Sequence, residues 1–129
     1  MLERRSQEFK LLQHRYCKLE NGPNMEWVVI NPFLLPPGWS AKTTRLLVLL
    51  PPGYPVTPPD NFYVESGLRL ESGAQPASYS EPVSQLGQEW GQFSYHIEAG
   101  DWKPATDIVS GHNLLTFMLG VEGRLSELN

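Results

Sequence analysis

Between positions 2 and 19 the apolar residues Phe9, Leu12, Tyr16 and Leu19 recur at intervals of three and four, with the basic residues mainly on other faces. That is the period of an amphipathic helix, and it predicts a first helix over 2–19, stopped by Asn21-Gly22-Pro23. The bulky apolar stretches Glu26 to Ile30 and Thr43 to Leu50 have the character of strands, joined by a loop or loose hairpin over Pro32 to Gly38. Asn61 to Glu65 predicts a third strand with a continuation at Leu68 to Leu70, so the middle of the chain reads as an antiparallel meander. Ser66 to Gly91 is rich in Ser, Gly, Gln and Pro with little periodicity, which predicts a long surface excursion. From Asp107 to Leu128, Leu114, Met118, Val121 and Leu125 return to helical spacing, with Thr106 or Asp107 as the expected N-cap.

The segment that joins the second and third strands is the most specific. Pro51-Pro52-Gly53-Tyr54-Pro55-Val56-Thr57-Pro58-Pro59 follows Leu46 to Leu50 directly. Prolines fix φ and cannot donate to a ladder, so the chain must leave one strand here and enter the next from a rigid corner.

With its flanks, the tryptophan-bearing Trp27 to Ile30 strand, the Tyr54-Pro55 corner with Pro58-Pro59, and Phe62 to Val64, this stretch resembles the strand meander of the ubiquitin-conjugating-enzyme superfamily. Downstream, Trp102-Lys103-Pro104-Ala105 resembles the tryptophan-proline step that follows the catalytic residue in that superfamily. The resemblance covers most of the chain and is greatest to a bacterial branch, prokaryotic family E. It implies an α+β, UBC-like fold in one domain over 1–129: an N-terminal helix, a meander of three to four strands, a long insertion and a C-terminal helix packed on the sheet. It also implies a ubiquitin-like conjugation pathway, in a setting such as phage defence or stress response. Two protein partners follow, a ubiquitin-like modifier and its activating enzyme, and the basic residues Arg4, Arg5 and Lys10 of the first helix are where the activating enzyme is expected to dock.

Composition narrows the remaining possibilities. The 129 residues suit a single core. The apolar run Leu46 to Leu50 is far short of a membrane span and the charged N-terminus is unlike a signal, so a cytoplasmic protein is expected. The net charge of −4 argues against nucleic acid as a partner, yet the first twenty residues carry five basic against three acidic groups, which points to an acidic partner at that end. A lone cysteine, Cys17, excludes an internal disulfide, and His14, His96 and His112 lack any zinc-ligand spacing, so no metal and no cofactor is expected.

The resembled enzymes carry the modifier's C-terminus as a thioester on a cysteine eight residues before the tryptophan. Here that position is Ser94, in Gln92-Phe93-Ser94-Tyr95-His96. The family's His-Pro-Asn element is missing as well: Ser84 to Gly91 holds no asparagine, and Gln85, Gln88 and Gln92 are the amides available to replace it. Two readings of Ser94 stand. In one it is a nucleophile that forms an oxyester, with His96 as base because residues two apart on a strand share a face, and with Asp101 or Glu98 orienting the imidazole. In the other it only fills the vacated place, His96 is structural, and the protein is a non-catalytic adaptor. Cys17, on the first helix, reads as a small hydrophobe or surface thiol. The four tryptophans Trp27, Trp39, Trp90 and Trp102 read as packing, His112 as a residue of the last helix without a chemical role, and Glu122 and Glu127 as solvated.

Overall fold

The computed structural model describes residues 2–129. Helix α1 (Leu2–Gln13) buries Phe9 and Leu12 but ends earlier than its periodicity suggests. The N–H groups of Arg15 and Tyr16 both close on the Leu12 carbonyl at 2.9 Å, and the chain turns out of the helix. Tyr16 then packs against Phe33, and Leu19 enters a short strand β1 (Leu19–Asn21) opposite Ile30. Tertiary partners for Tyr16 and Leu19 outweigh two further helical turns, whose only local signal was spacing.

Strands β2 (Trp27–Leu34), β3 (Thr43–Leu49) and β4 (Phe62–Glu65) form the expected antiparallel meander. Strand β2 runs on through Pro32 to Leu34, past a register irregularity between Ile30 and Phe33, where a loop was expected.

The expected excursion over 66–91 is a correction. It contains β5 (Tyr79–Gln85) and β6 (Gln88–Phe93), a hairpin closed by Leu86-Gly87 with both residues at positive φ, the geometry of a tight primed turn. The sheet has six strands in the order β1-β2-β3-β4-β6-β5, so β6 returns between β4 and β5. Only Ser66 to Ser78 remains irregular, and it is tied down by Glu81. That carboxylate accepts from the Gly67 N–H (2.5 Å) and the Tyr79 hydroxyl (2.6 Å) and pairs with Arg69. The Arg69 hydrogen bond, chiefly, holds the Glu81 carboxyl low, at about 2.

The last helix also differs. Helix α2 (Leu114–Leu125) begins seven residues after Asp107, at an N-cap made by Asn113. The Asn113 side chain accepts from the Thr116 N–H (3.0 Å) and the Thr116 hydroxyl accepts from the Asn113 N–H (2.9 Å), a reciprocal cap. Asp107 instead caps a turn, accepting from the Val109 N–H and the Ser110 hydroxyl. Both helices lie on one face of the sheet, where Phe9, Leu12, Phe117, Met118, Val121 and Leu125 share a core with Val28, Ile30, Leu46, Val48, Phe62 and Phe93. The other face carries no helix. Its central residues Val29, Leu47, Tyr63 and Trp90 are covered by their own neighbours, including the Arg45 guanidinium 4.6 Å above the Trp90 ring. This is an α+β fold of two helices on an antiparallel sheet, consistent with a UBC-like domain. No helix among the described residues is long and apolar enough to cross a membrane.

Candidate functional site

The proline corner and the tryptophan-proline step, far apart in sequence, are one structural unit. The Trp102 indole N–H donates to the Pro55 carbonyl at 2.8 Å, and the Tyr54 and Trp102 rings lie 6.3 Å apart. His112 stacks on Trp102 at 5.3 Å, and its Nδ1 accepts from the Lys103 N–H at 2.9 Å. His112 therefore precedes α2 and closes the loop after Trp102, rather than lying on the last helix as expected. Pro59 is buried and Pro58 and Pro104 are half-buried, so the signature residues are inward-facing supports.

Beneath this unit lies Glu8, a carboxylate with 0 % exposure that sequence pattern did not single out. Its Oε1 accepts from the Tyr54 hydroxyl and from the Leu114 N–H (2.6 Å), the first residue of α2. Its Oε2 accepts from Arg4 Nε at 2.7 Å. A charge without such partners would be costly to bury, and the N-terminus of a helix is a favourable place for a carboxylate. Burial, reinforced by the Glu8 charge, pushes the Tyr54 hydroxyl far above its ordinary range. Arg4 continues the network to the carbonyls of Ala105 (2.6 Å) and His112 (3.4 Å). The guanidinium expected to face a partner is therefore turned inward. Arg5 is half-buried and donates to the Asn24 carbonyl at 3.2 Å, while Lys10 is exposed.

Ser94 follows the last residue of β6. Phe93 is fully buried and stacks on Phe62 at 4.9 Å, which anchors the exit of the strand, and the Ser94 N–H donates to the Ser78 carbonyl at 2.8 Å. The Ser94 side chain is exposed. Residues 94–98 lie outside any helix or strand and lead to a single 3-10 turn at Ala99–Asp101.

Within that segment, Tyr95 is the anchor. Its ring meets Phe62 and Phe117 edge-on at 5.8 and 5.6 Å. A side chain at Gly120 of α2 would collide with the Tyr95 hydroxyl, its Cβ only 2.1 Å away, so a residue that weakens the helix is what lets Tyr95 seat. Its backbone is bracketed by Asn61, whose N–H donates to the Tyr95 carbonyl (2.8 Å) while Asn61 Oδ1 accepts from the Tyr95 N–H (3.1 Å). Next to this bracket the His96 ring bonds through Nδ1 to the Asp60 carboxylate.

Ser94 and His96 do not lie on a strand as expected, because β6 ends at Phe93. Among the described residues no hydrogen bond joins their side chains. Among the described residues the imidazole has no hydrogen bond to Glu98 or Asp101; its partner is Asp60. The candidate amides are elsewhere too. Gln85 donates to the Tyr63 hydroxyl, Gln88 accepts from Arg45, and Gln92 pairs with Tyr63, all on the helix-free face of the sheet. The amide that does stand beside the site is Asn61. Asp60 and Asn61 were legible only as the residues following Pro58-Pro59.

Cys17 is exposed and lines a separate cleft of about 480 Å³ with Arg15, Tyr16, Phe33, Leu34 and Glu122, none of it from the 94–104 segment. Glu122, expected to be solvated, accepts two hydrogen bonds from Arg15 (2.9 and 2.6 Å) and one from the Tyr16 hydroxyl; chiefly Arg15 keeps its carboxyl below the ordinary range. Among the described residues no group of three or more His, Cys, Asp or Glu could hold a metal ion.

No curated protein and no solved structure matches the chain. A family model described as Prokaryotic E2 family E matches residues 5–126, a span that includes the corner, the Ser94 segment, the Trp102 step and α2. The chain belongs to prokaryotic E2 family E, a branch with a conjugating-enzyme-like role.

Proposed function

We propose that this protein binds a ubiquitin-like modifier and its activating enzyme in a bacterial conjugation pathway and carries the modifier's C-terminus as an oxyester on Ser94. The observation that supports this reading most is that Ser94 is exposed, just past the end of β6, at the position where family resemblance puts the acyl-bearing cysteine. A serine hydroxyl needs a base at neutral pH, and His96 is the imidazole two residues on. Docking of the activating enzyme on α1 rests on Lys10 and the outer part of Arg5, since Arg4 is occupied internally.

Intact-mass spectrometry of wild type and Ser94→Ala, mixed with a modifier, its activating enzyme and ATP, tests the reading. An adduct that survives thiol reductant, is cleaved by hydroxylamine and is lost in Ser94→Ala is expected. A stable complex without an adduct would instead favour the adaptor reading. That alternative draws on one specific observation, that no hydrogen bond joins the Ser94 and His96 side chains among the described residues.

A further inference from the structure

We infer that Asp60 is a positioning residue of the Ser94 site: it fixes the His96 imidazole in the tautomer that leaves Nε2 free to take the proton of the attacking hydroxyl.

An ionised carboxylate only accepts hydrogen bonds, so the nitrogen facing Asp60 Oδ1 must be the donor. His96 therefore keeps its proton on Nδ1, and Nε2 is the position that gains and loses one. Nε2 has no hydrogen bond among the described residues. In an unconstrained imidazole the proton prefers Nε2, so the arrangement is the reverse of the default.

The pair is exposed, at 64 % for the Asp60 side chain and 63 % for His96, and an exposed ion pair is ordinarily worth little. Its geometry is imposed from outside. The reciprocal Asn61–Tyr95 hydrogen bonds join the two segments, Asn61 sits at φ 64° where few residues other than asparagine and glycine go, and Tyr95 is seated on Phe62 and Phe117. Pro58 and Pro59 stiffen the approach to Asp60. A braced backbone thus carries an exposed pair, so little backbone ordering entropy is left to lose when substrate arrives.

The step rests on the reading that Ser94 receives the acyl group. The donor is the thioester between the modifier's C-terminal carbonyl and the activating enzyme. The Ser94 Oγ–C bond forms as the C–S bond breaks. The Oγ proton passes to His96 Nε2 and from there to the departing thiolate, which leaves as a thiol. Asp60 keeps its charge throughout and balances the transient imidazolium.

The test is nitrogen NMR of protein labelled at histidine, at a pH where the rings are neutral, in wild type, Asp60→Ala and Asp60→Glu. His14, whose ring has no hydrogen bond among the described residues, is the internal reference. The expected result is His96 mainly Nδ1–H in wild type, mainly Nε2–H in Asp60→Ala, and largely restored in Asp60→Glu, with His14 unchanged. His96 resembling His14 in wild type, or keeping its tautomer in Asp60→Ala, would overturn the inference. A second arm follows Ser94 acylation by a synthetic peptide ending in a Gly-Gly thioester. About a tenfold slower ester formation in Asp60→Ala, partly rescued by Asp60→Glu, is expected; equal rates would also overturn it. If no protein forms the ester while the tautomer depends on Asp60, the carrier reading fails and the positioning role stands.

Discussion

Two carboxylates flank the proline corner and illustrate opposite uses of the same group. Glu8 lies under Tyr54 with no exposure, and each of its oxygens has a fixed donor, from α1, the corner and the start of α2. Asp60 lies just past Pro59, facing solvent, with a single imidazole as partner. The first arrangement holds three elements together because removing any member strands a buried charge or N–H group. The second contributes little to holding and is open to solvent. A buried network serves stability, whereas an exposed, externally braced pair is free for the exchange proposed above; the corner separates them.

Substitutions separate the two most sharply when they are ranked by effect. Glu8→Ala should cost about 3–5 kcal/mol in urea unfolding, because Arg4 is left as an uncompensated, largely buried charge and the Leu114 N–H loses its acceptor. A loss under 1 kcal/mol would mean that water replaces the carboxylate and that the network is not what joins α1 to α2. Tyr54→Phe removes one charged hydrogen bond while keeping the ring, and a loss of about 1.5–3 kcal/mol by the same measurement is expected. Asn113→Ala should cost about 1 kcal/mol through the lost cap, with α2 fraying at its first turn in amide hydrogen exchange.

On acid titration Glu81 behaves as a third case, partly exposed yet well partnered. Its carboxyl is depressed to about 2 in the folded protein, so its contribution is full above the ordinary carboxylate range near 4 and is lost as pH falls from there toward about 2. Acid unfolding of Glu81→Gln should accordingly be shallower across that window; an unchanged profile would show that the clamp on Gly67 and Arg69 contributes nothing. Asp60→Ala should be the smallest perturbation of stability, within about 0.5 kcal/mol, since both side chains are solvated. A larger loss would place Asp60 with Glu8 as a structural residue.

The strands β2, β3 and β4 were legible in the chain because each is a short apolar run bounded by turn residues, and the corner because proline leaves few alternatives. The β5–β6 hairpin was not. Its strand residues Ser80, Glu81, Ser84 and Gln85 are polar and Pro82 is a poor strand residue, so they read as a loop, and the register shift between Ser80 and Val83 sends Tyr79 to the helix side and Val83 to the other face, which breaks the alternation of apolar positions. The α2 start was misread because Asp107 and Asn113 are both good caps, and the choice fell to whichever turn the loop after Trp102 could close; Gly111, packed against the Lys103 and Ala105 backbone, closes the earlier one. At the candidate site, Ser94 was singled out by the family's spacing to Trp102 and His96 by its place two residues on, but their relation depended on where β6 stops.

Periodicity, the Pro51 to Pro59 run and the Trp102-Pro104 step by themselves determined the fold class and the family, because these are local constraints written in neighbouring residues. Only the tertiary structure decided that Arg4 faces inward to Glu8, that six strands and not three or four make the sheet, and that His96 answers to Asp60. Each of those outcomes pairs groups that are distant in sequence, and a polar side chain's partner is set by which groups share its desolvated or braced surroundings, which no local pattern specifies.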